Sequence, residues 1–164
     1  MTALVFRDSP ADSDVALVRR LAIASGGFSA SEIDIAVELV EERLKRGLAA
    51  SGYHFLFAEP SAGIPASGYA CYGPIPLTRS SWDLYWIAVA KDGQRKGVGR
   101  RLLGEVERRA AAQGARQMFI DASGRADAAS SARLYKAAGY ALAANLADFY
   151  ADGDAKLIFA KRLA

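Results

Sequence analysis

The sequence LYWIAVAKDGQRKGVGRRLLGEVERRAAA, residues 84–112, decides the predicted fold of this chain. The unbroken apolar run over 84–90 predicts a strand buried on both faces. The pattern from about 98 to 113 predicts an amphipathic helix that buries Val98, Leu102, Leu103, Val106 and Ala110. Residues 94–100, where the helix begins, carry two glycines and three cations: Arg95, Lys96, Gly97, Gly99 and Arg100. A helix N-terminus exposes unpaired N–H groups and a positive dipole end, and glycine lets a ligand approach the backbone closely. The stretch therefore predicts a cradle for a phosphorylated cofactor.

Length and composition bound the class of protein. The chain has 164 residues, of which 52% are hydrophobic, so we expect one domain over 1–164 with a sizeable core. The net charge is only +3 and no block of five like charges occurs, which argues against a nucleic-acid partner. No apolar run approaches the ~20 residues of a membrane span, and no signal-peptide pattern opens the sequence. We expect a cytoplasmic protein without a membrane partner, as a monomer or a homodimer.

The chain contains one cysteine, Cys71, and one histidine, His54. A single cysteine excludes an internal disulfide and a cysteine-based metal cluster, and a single histidine excludes a site with several histidine ligands. We therefore expect no metal cofactor. Both residues fall within predicted strands, where packing is their expected role, although a covalent acetyl-cysteine route through Cys71 stays open.

Periodicity and turn residues predict the order β α α β β β α β α β β, a mixed α/β sheet in one domain. The predicted strands cover 3–6, 53–58, 64–72, 83–90, 116–121, 140–143 and 155–161, and the predicted helices cover about 13–25, 31–46, 98–113 and 128–138. The last helix should turn Leu134, Tyr135 and Ala138 inward. Ser29 and Glu32 form a capping box, and Gly47 should close the second helix. Gly68 and Gly73 are expected at bulges or bends, and residues 145–154 are expected to form a loop. The strand–loop–helix–strand order over 83–121 requires a parallel crossover.

Two motifs give the chain a resemblance to a known family. Gln94-x-x-Gly97-x-Gly99, between a central strand and a helix, resembles the acetyl-CoA signature of the GNAT acetyltransferase superfamily, and Leu134-Tyr135-x-x-x-Gly139-Tyr140 is similar to a second signature of that family. The order of elements resembles the family over essentially the whole chain. A Rossmann fingerprint would need a small residue at position 102, which is leucine, and no Gly-Lys-Ser/Thr of a P-loop is present.

The resemblance implies a fold and a cosubstrate. The fold is the single-domain acyl-CoA N-acyltransferase fold, in which a mostly antiparallel sheet contains a splayed, parallel central strand pair and is flanked by helices. The cosubstrate is acetyl-CoA. Loop N–H groups would hold its pyrophosphate, and backbone groups of the bulged central strand would pair with its pantetheine arm. An N–H near Ala88 or Val89 would stabilise the oxyanion. The implied cofactor-binding residues are Ile87, Ala88, Val89, Gln94, Arg95, Lys96, Gly97, Val98, Gly99, Arg100 and Ser131.

The catalytic residues implied by the resemblance are Tyr135 and Asp83. A tyrosine of pKa ~10 can protonate a departing thiolate whose conjugate acid has a pKa of ~8.5. Asp83, at the start of the central strand, would be the general base, with Asp121 as a rival base or amine anchor and water as a third possibility. Many relatives carry an asparagine seven residues before the tyrosine. This chain has Ala128 there, so Ser130 or Ser131 would have to replace that contact.

The predicted activity is acetyl transfer from acetyl-CoA to a primary amine, by direct attack in a ternary complex. The small-molecule or peptide acceptor would enter between the first helices and the segments 74–82 and 145–154. Five aromatic residues could line its pocket: Tyr53, Tyr72, Trp82, Tyr85 and Phe149. The alternatives are a protein-lysine or N-terminal acetyltransferase, an acyl-CoA-binding sensor without turnover, and a nucleotide-binding or nucleic-acid-binding protein.

Overall fold

The computed structural model describes residues 3–164, and its elements follow the predicted order. Over those residues seven strands are found: β1 (Val5–Arg7), β2 (His54–Glu59), β3 (Gly68–Pro74), β4 (Ser81–Val89), β5 (Gln117–Ser123), β6 (Ala141–Ala151) and β7 (Asp154–Arg162). The same residues form four α-helices: α1 (Asp14–Ser25), α2 (Ala30–Ser51), α3 (Val98–Ala112) and α4 (Ala129–Ala137). A 3₁₀ turn over Ala126–Ala128 leads into α4.

All seven strands belong to one sheet with the order β1-β2-β3-β4-β5-β7-β6. Every neighbouring pair is antiparallel except β4 and β5, which are parallel. A parallel pair needs a long crossover, and α3 supplies it, because it lies between the two strands in the chain. The predicted mixed sheet with a central parallel pair is confirmed.

The parallel pair is joined only at its beginning. The register couples Ser81 to Gln117, Trp82 to Met118 and Asp83 to Phe119, and the pairing ends there. On its other side β4 stays paired to β3 as far as Val89, which lies opposite Gly68. From Leu84 onward β4 therefore has a neighbour on one side only, which is the splay that the resemblance implied.

A bulge occurs within the same strand. Cys71 lies opposite Trp86 and Tyr72 lies opposite Leu84, so Tyr85 is the extra residue on β4. The prediction of bulges at Gly68 and Gly73 was wrong, because the register is regular at both. These glycines instead allow close approach: a Cβ at Gly68 would lie 3.0 Å from the Ala88 carbonyl oxygen, and one at Gly73 would clash with the Gly52 carbonyl oxygen.

The sheet separates two hydrophobic cores. On one face, α3 buries the five residues that its periodicity predicted, Val98, Leu102, Leu103, Val106 and Ala110, and α4 adds Tyr135. On the other face, α1 and α2 cover β2 and β3, and Leu21 and Val40 of the helices share a core with Phe57 of β2. β4 contacts both cores, but Tyr85, Trp86, Ile87 and Val89 are only half-buried, since the splay removes the neighbour that would have covered them.

Three predicted boundaries were wrong. Residues 64–67 precede β3, because Pro65 interrupts the apolar run. Residues 145–151 belong to β6 rather than to a loop; almost every residue of this edge strand is exposed, so no buried alternation marks it in the sequence. The second helix kinks at Gly47 (φ 78°, ψ 174°) and continues to Ser51 instead of ending. The predicted capping box is confirmed, with the Ser29 N–H 2.6 Å from Glu32 Oε2 and the Glu32 N–H 3.3 Å from Ser29 Oγ.

Within residues 3–164, no helix combines the length and the apolar character needed to cross a bilayer.

Candidate active site

The loop between β4 and α3 places a run of free N–H groups around a turn. α3 begins at Val98, after Gly97 in the left-handed conformation (φ 78°, ψ 4°), and Arg95 also has a positive φ of 60°. Among the described residues, no protein group accepts a hydrogen bond from the backbone N–H groups of residues 95–100. Successive N–H groups in such a turn, at a helix N-terminus, form a concave anion site. The predicted cradle therefore has the right backbone geometry for phosphate oxygens.

The side chain of Gln94 anchors this loop. Its Nε2 donates to the Val89 carbonyl oxygen at 2.8 Å and to the Ser25 carbonyl oxygen at 3.0 Å. The loop is thereby tied to the end of β4 and the end of α1. A direct contact of the Gln94 amide with pyrophosphate stays a prediction, because in this structure the amide holds the loop in place.

Gly99 brings the two sequence motifs together. A Cβ at Gly99 would lie 3.4 Å from Leu134 Cδ2 and 3.6 Å from Val89 Cγ2, so α3 starts in close contact with α4 and β4. Leu134 belongs to the second motif and precedes Tyr135. The two motifs, 35 residues apart at Gly99 and Leu134, therefore meet at the mouth of the splay.

The predicted pantetheine-binding residues lie on the unpaired length of β4. Ala88 is buried, while Ile87 and Val89 are half-buried. All three pair with β3 on one side and lie beyond the last β5 partner on the other. The backbone groups of this segment that face the splay have no β5 partner, although the Val89 carbonyl oxygen accepts a hydrogen bond from Gln94. The others are available to an extended ligand, as in the addition of a strand to a sheet edge.

Tyr135 is buried in the core on the α3/α4 face of the sheet. Its ring centroid lies 5.6 Å from that of Phe159 and 6.3 Å from that of Tyr140, and the residue is 5% exposed. Burial raises the pKa of Tyr135 to about 12, and an interaction with the Ser131 side chain opposes that rise. The phenol is therefore protonated throughout the physiological range, as a proton donor must be.

Ser131 lies one helical turn before Tyr135 and is half-buried, whereas Ser130 is exposed. Of the two serines predicted to replace the missing asparagine, Ser131 is thus the one beside the tyrosine. Its contact with a cofactor stays a prediction.

Asp83 is the last β4 residue paired with β5, so its carboxylate lies where the strands separate. Burial, followed by the charge of Asp121, raises the pKa of Asp83 to about 6, while Lys156 lowers it. Within residues 3–164, no side chain forms an ion pair or hydrogen bond with the Asp83 carboxylate. The rival base Asp121 is engaged, because its Oδ2 lies 2.7 Å from Lys156 Nζ.

Sequence reasoning missed Lys156. Only the strand order β5-β7-β6 places β7 beside β5, where Lys156 lies opposite Ser123 and within reach of Asp121. A lysine in a predicted strand carries no local signal of this contact.

The aromatic residues predicted to line one pocket are divided between the two faces of the sheet. Tyr53 and Tyr85 pack edge-to-face at 5.5 Å on the α1/α2 side, and Phe149 lies on β6. Tyr72 and Trp82 instead belong to the α3/α4 core. That part of the prediction was wrong, since strand alternation sends Tyr72 and Trp82 away from Tyr85.

The single histidine and cysteine are packing residues in this structure. The ring of His54 lies 5.3 Å from that of Tyr72 and 5.1 Å from that of Trp82. Cys71 is completely buried, and burial raises the pKa of its thiol well above the usual value, so a thiolate is disfavoured. Across the described part of the chain, no three His, Cys, Asp or Glu side chains are grouped to hold a metal ion.

The chain is similar to known proteins in both sequence and fold. A family model described as an acetyltransferase (GNAT) domain matches residues 51–142. A Desulfovibrio desulfuricans protein, described as a GNAT-family acetyltransferase, has 43% sequence identity and a TM-score of 0.93, with 99% of this chain and 100% of that chain covered. No curated protein matches the sequence.

Two more distant structures share the fold. A Salmonella typhimurium protein, described as an acetyltransferase with its cofactor acetyl-CoA, has 19% identity and a TM-score of 0.71, covering 99% of this chain and 95% of that one. The aminoglycoside 6'-N-acetyltransferase from Enterococcus faecium has 13% identity and a TM-score of 0.76, covering 98% of this chain and 97% of that one. With the family model spanning more than half of its length and a 43% identical structure covering nearly all of it, the chain belongs to the GNAT family of acetyltransferases.

Proposed function

We propose that residues 1–164 act as one domain that transfers an acetyl group from acetyl-CoA to a primary amine, by direct attack in a ternary complex. The observation that supports this most strongly is that the unpaired length of β4 leads directly to the loop with free N–H groups. The β4–β5 ladder ends after Asp83, and the free N–H groups of residues 95–100 lie at the far end of the unpaired length of β4. An extended thioester with a diphosphate at one end fits such a junction.

The cosubstrate would supply an acetyl thioester and a diphosphate handle. N–H groups of residues 95–100 would bind the diphosphate, with Arg95, Lys96 and Arg100 adding positive charge. Backbone groups of Ile87, Ala88 and Val89 would hold the extended arm, and an N–H of Ala88 or Val89 would stabilise the oxyanion. Because these contacts are made mostly by the backbone, side-chain differences at the loop surface should affect affinity less than loop conformation does.

Asp83 would accept one proton in the reaction, and Tyr135 would donate another. As the amine nitrogen forms its bond to the acetyl carbon, Asp83 accepts the proton that the nitrogen loses. The carbon–sulfur bond breaks, and Tyr135 donates its phenolic proton to the departing thiolate. Asp83 is the better base of the two carboxylates, since Asp121 is already paired with Lys156.

The acceptor is proposed to be a small-molecule amine or a peptide amine, including a lysine or N-terminal amine of a protein. The shared fold with an aminoglycoside acetyltransferase does not choose between these, because at 13% identity it concerns the fold alone. A sensor that binds acyl-CoA without turnover is the competing proposal. The free carboxylate of Asp83 and the protonated Tyr135 favour turnover.

The test is thiol release from acetyl-CoA in the presence of amines, polyamines and peptides. Turnover with at least one class, and initial-rate plots that intersect as in sequential kinetics, are expected. Stabilisation by acetyl-CoA with no thiol release for any amine would favour the sensor. Release of CoA before any amine is added would contradict direct attack.

A further inference from the structure

Three charged side chains from three neighbouring strands meet at the end of the β4–β5 ladder. Asp83 lies opposite Phe119, and Asp121 lies two residues further along β5, so both carboxylates are on the same face of the sheet. Lys156, on the next strand β7, lies opposite Ser123, two residues beyond Asp121. Its Nζ is 2.7 Å from Asp121 Oδ2.

Lys156 is held firmly in this position. Besides its ion pair, its ammonium group lies 4.9 Å from the centroid of the Phe149 ring, a distance suited to a cation–π contact. The hydrogen bond to Asp121 raises the pKa of Lys156, so the ammonium keeps its charge at every pH of interest. The side chain is therefore engaged inside the molecule rather than free to bind an acceptor.

We propose that Lys156 is a positioning residue: it pairs with Asp121, so that Asp83 is the carboxylate left to accept the proton in this site. The inference rests on the proposed function, because it assigns this role within the same reaction. Lys156 itself touches neither the acetyl group nor the amine; it acts through the two carboxylates.

The physical reason is the repulsion between neighbouring carboxylates. A second negative charge nearby raises the proton affinity of Asp83, so that more of it is protonated and unable to accept a proton. A fixed ammonium group neutralises that second charge. The groups that act on Asp83 electrostatically are Asp121 from β5 and Lys156 from β7, and Tyr85 of β4 faces it with a phenol whose pKa burial raises to about 12.

The first test is the pH dependence of kcat/KM for Lys156→Met. Loss of the ammonium group leaves Asp121 uncompensated, so the midpoint of the acidic limb should rise by about one pH unit. At a pH below the wild-type midpoint, this shift corresponds to about tenfold lower activity. Lys156→Arg keeps the charge and should keep the midpoint close to that of the wild-type enzyme.

Lys161→Met is the matched control. Lys161 lies on the same strand but on the opposite face, and its Nζ forms an ion pair of the same 2.7 Å length, with Glu107. The control should leave the midpoint unchanged. An equal upward shift in both variants, or none in Lys156→Met, would overturn the inference.

Asp121→Asn should shift the midpoint in the opposite direction, because it removes the repulsion and releases Lys156 to act on Asp83 alone. An NMR titration of the Asp83 carboxyl carbon in the whole protein measures the same shifts without turnover. If the variants change the Asp83 titration as expected but the protein transfers no acetyl group, the proposed function is contradicted and the coupling of Lys156 to Asp83 is still supported. An Asp83 titration that is unaffected by Lys156→Met would refute the coupling itself.

Discussion

Two regions of the candidate site are built on different physical principles. The cradle, residues 94–100, is one continuous segment whose free groups are backbone N–H groups, and its side chains are mostly exposed. The carboxylate cluster, Asp83, Asp121 and Lys156, is assembled from β4, β5 and β7 and acts through side chains. The first depends on local conformation, and the second depends on the order of strands in the sheet. Substitutions should therefore affect binding in one region and proton transfer in the other.

The largest expected effect tests the cradle. Gly97→Glu forces a side chain onto a left-handed residue, which costs roughly 1–2 kcal/mol, and puts a negative charge at the anion site. Together these should weaken CoA binding by about 100-fold or more, as measured by calorimetry. Gly104→Glu is the control: it makes the same charge change within α3, away from the cradle, where a new Cβ meets no atom within 4 Å. Equal losses in the two variants would contradict a conformational role for Gly97.

A smaller effect, confined to chemistry, is expected at Tyr135. Tyr135→Phe removes the proton donor but retains the ring that packs against Phe159, so kcat should fall by roughly 100-fold with CoA affinity unchanged. Steady-state kinetics and CoA titration separate the two quantities. Tyr140→Phe, in the same aromatic cluster, should leave kcat near the wild-type value. A parallel loss of affinity and kcat in Tyr135→Phe would identify the residue as structural.

The smallest expected effect is on stability, at Asp83. Its pKa in the folded protein is raised to about 6 from 3.8, so the folded state binds the proton more tightly than the unfolded chain does. The ionised carboxylate therefore destabilises the fold as pH rises from about 4 to about 6 and beyond. Because the group is half-exposed and screened by solvent, the destabilisation should be about 1 kcal/mol.

Asp83→Asn removes that cost. The variant should be more stable than the wild-type protein at about pH 7.5, and the difference should vanish below about pH 4. Urea unfolding at the two pH values measures it. A stability difference that is the same at both values would mean that the ionisation of Asp83 is not its cause.

The cradle could be predicted from the sequence because its information is local. Gly97, Gly99 and the helix start are contiguous, and the amphipathic pattern of α3 gave all five of its buried residues. The position of Tyr135 inside the core likewise followed from helical periodicity and the motif around it.

Other features could not be predicted because their signals are non-local. The bulge at Tyr85 depends on which residues of β3 lie opposite, and β6 is an exposed edge strand that exists through its pairing with β7. The division of the aromatic residues between two faces follows from the register of β3 and β4, which the composition of neither strand reveals.

The sequence by itself determined the family, the order of elements, the glycine-rich loop between β4 and α3, and the two motifs that contain Gly99 and Tyr135. These rest on local backbone preferences and helical periodicity, which a short segment specifies on its own. Tertiary structure decided that the β4–β5 ladder ends at Asp83 and that Gln94 ties the loop to Ser25 and Val89. It also decided that Lys156 neutralises Asp121. The end of the ladder and the Lys156–Asp121 pair exist only once the strand order brings β5 between β4 and β7. The Gln94–Ser25 contact exists only once α1 docks against the end of β4.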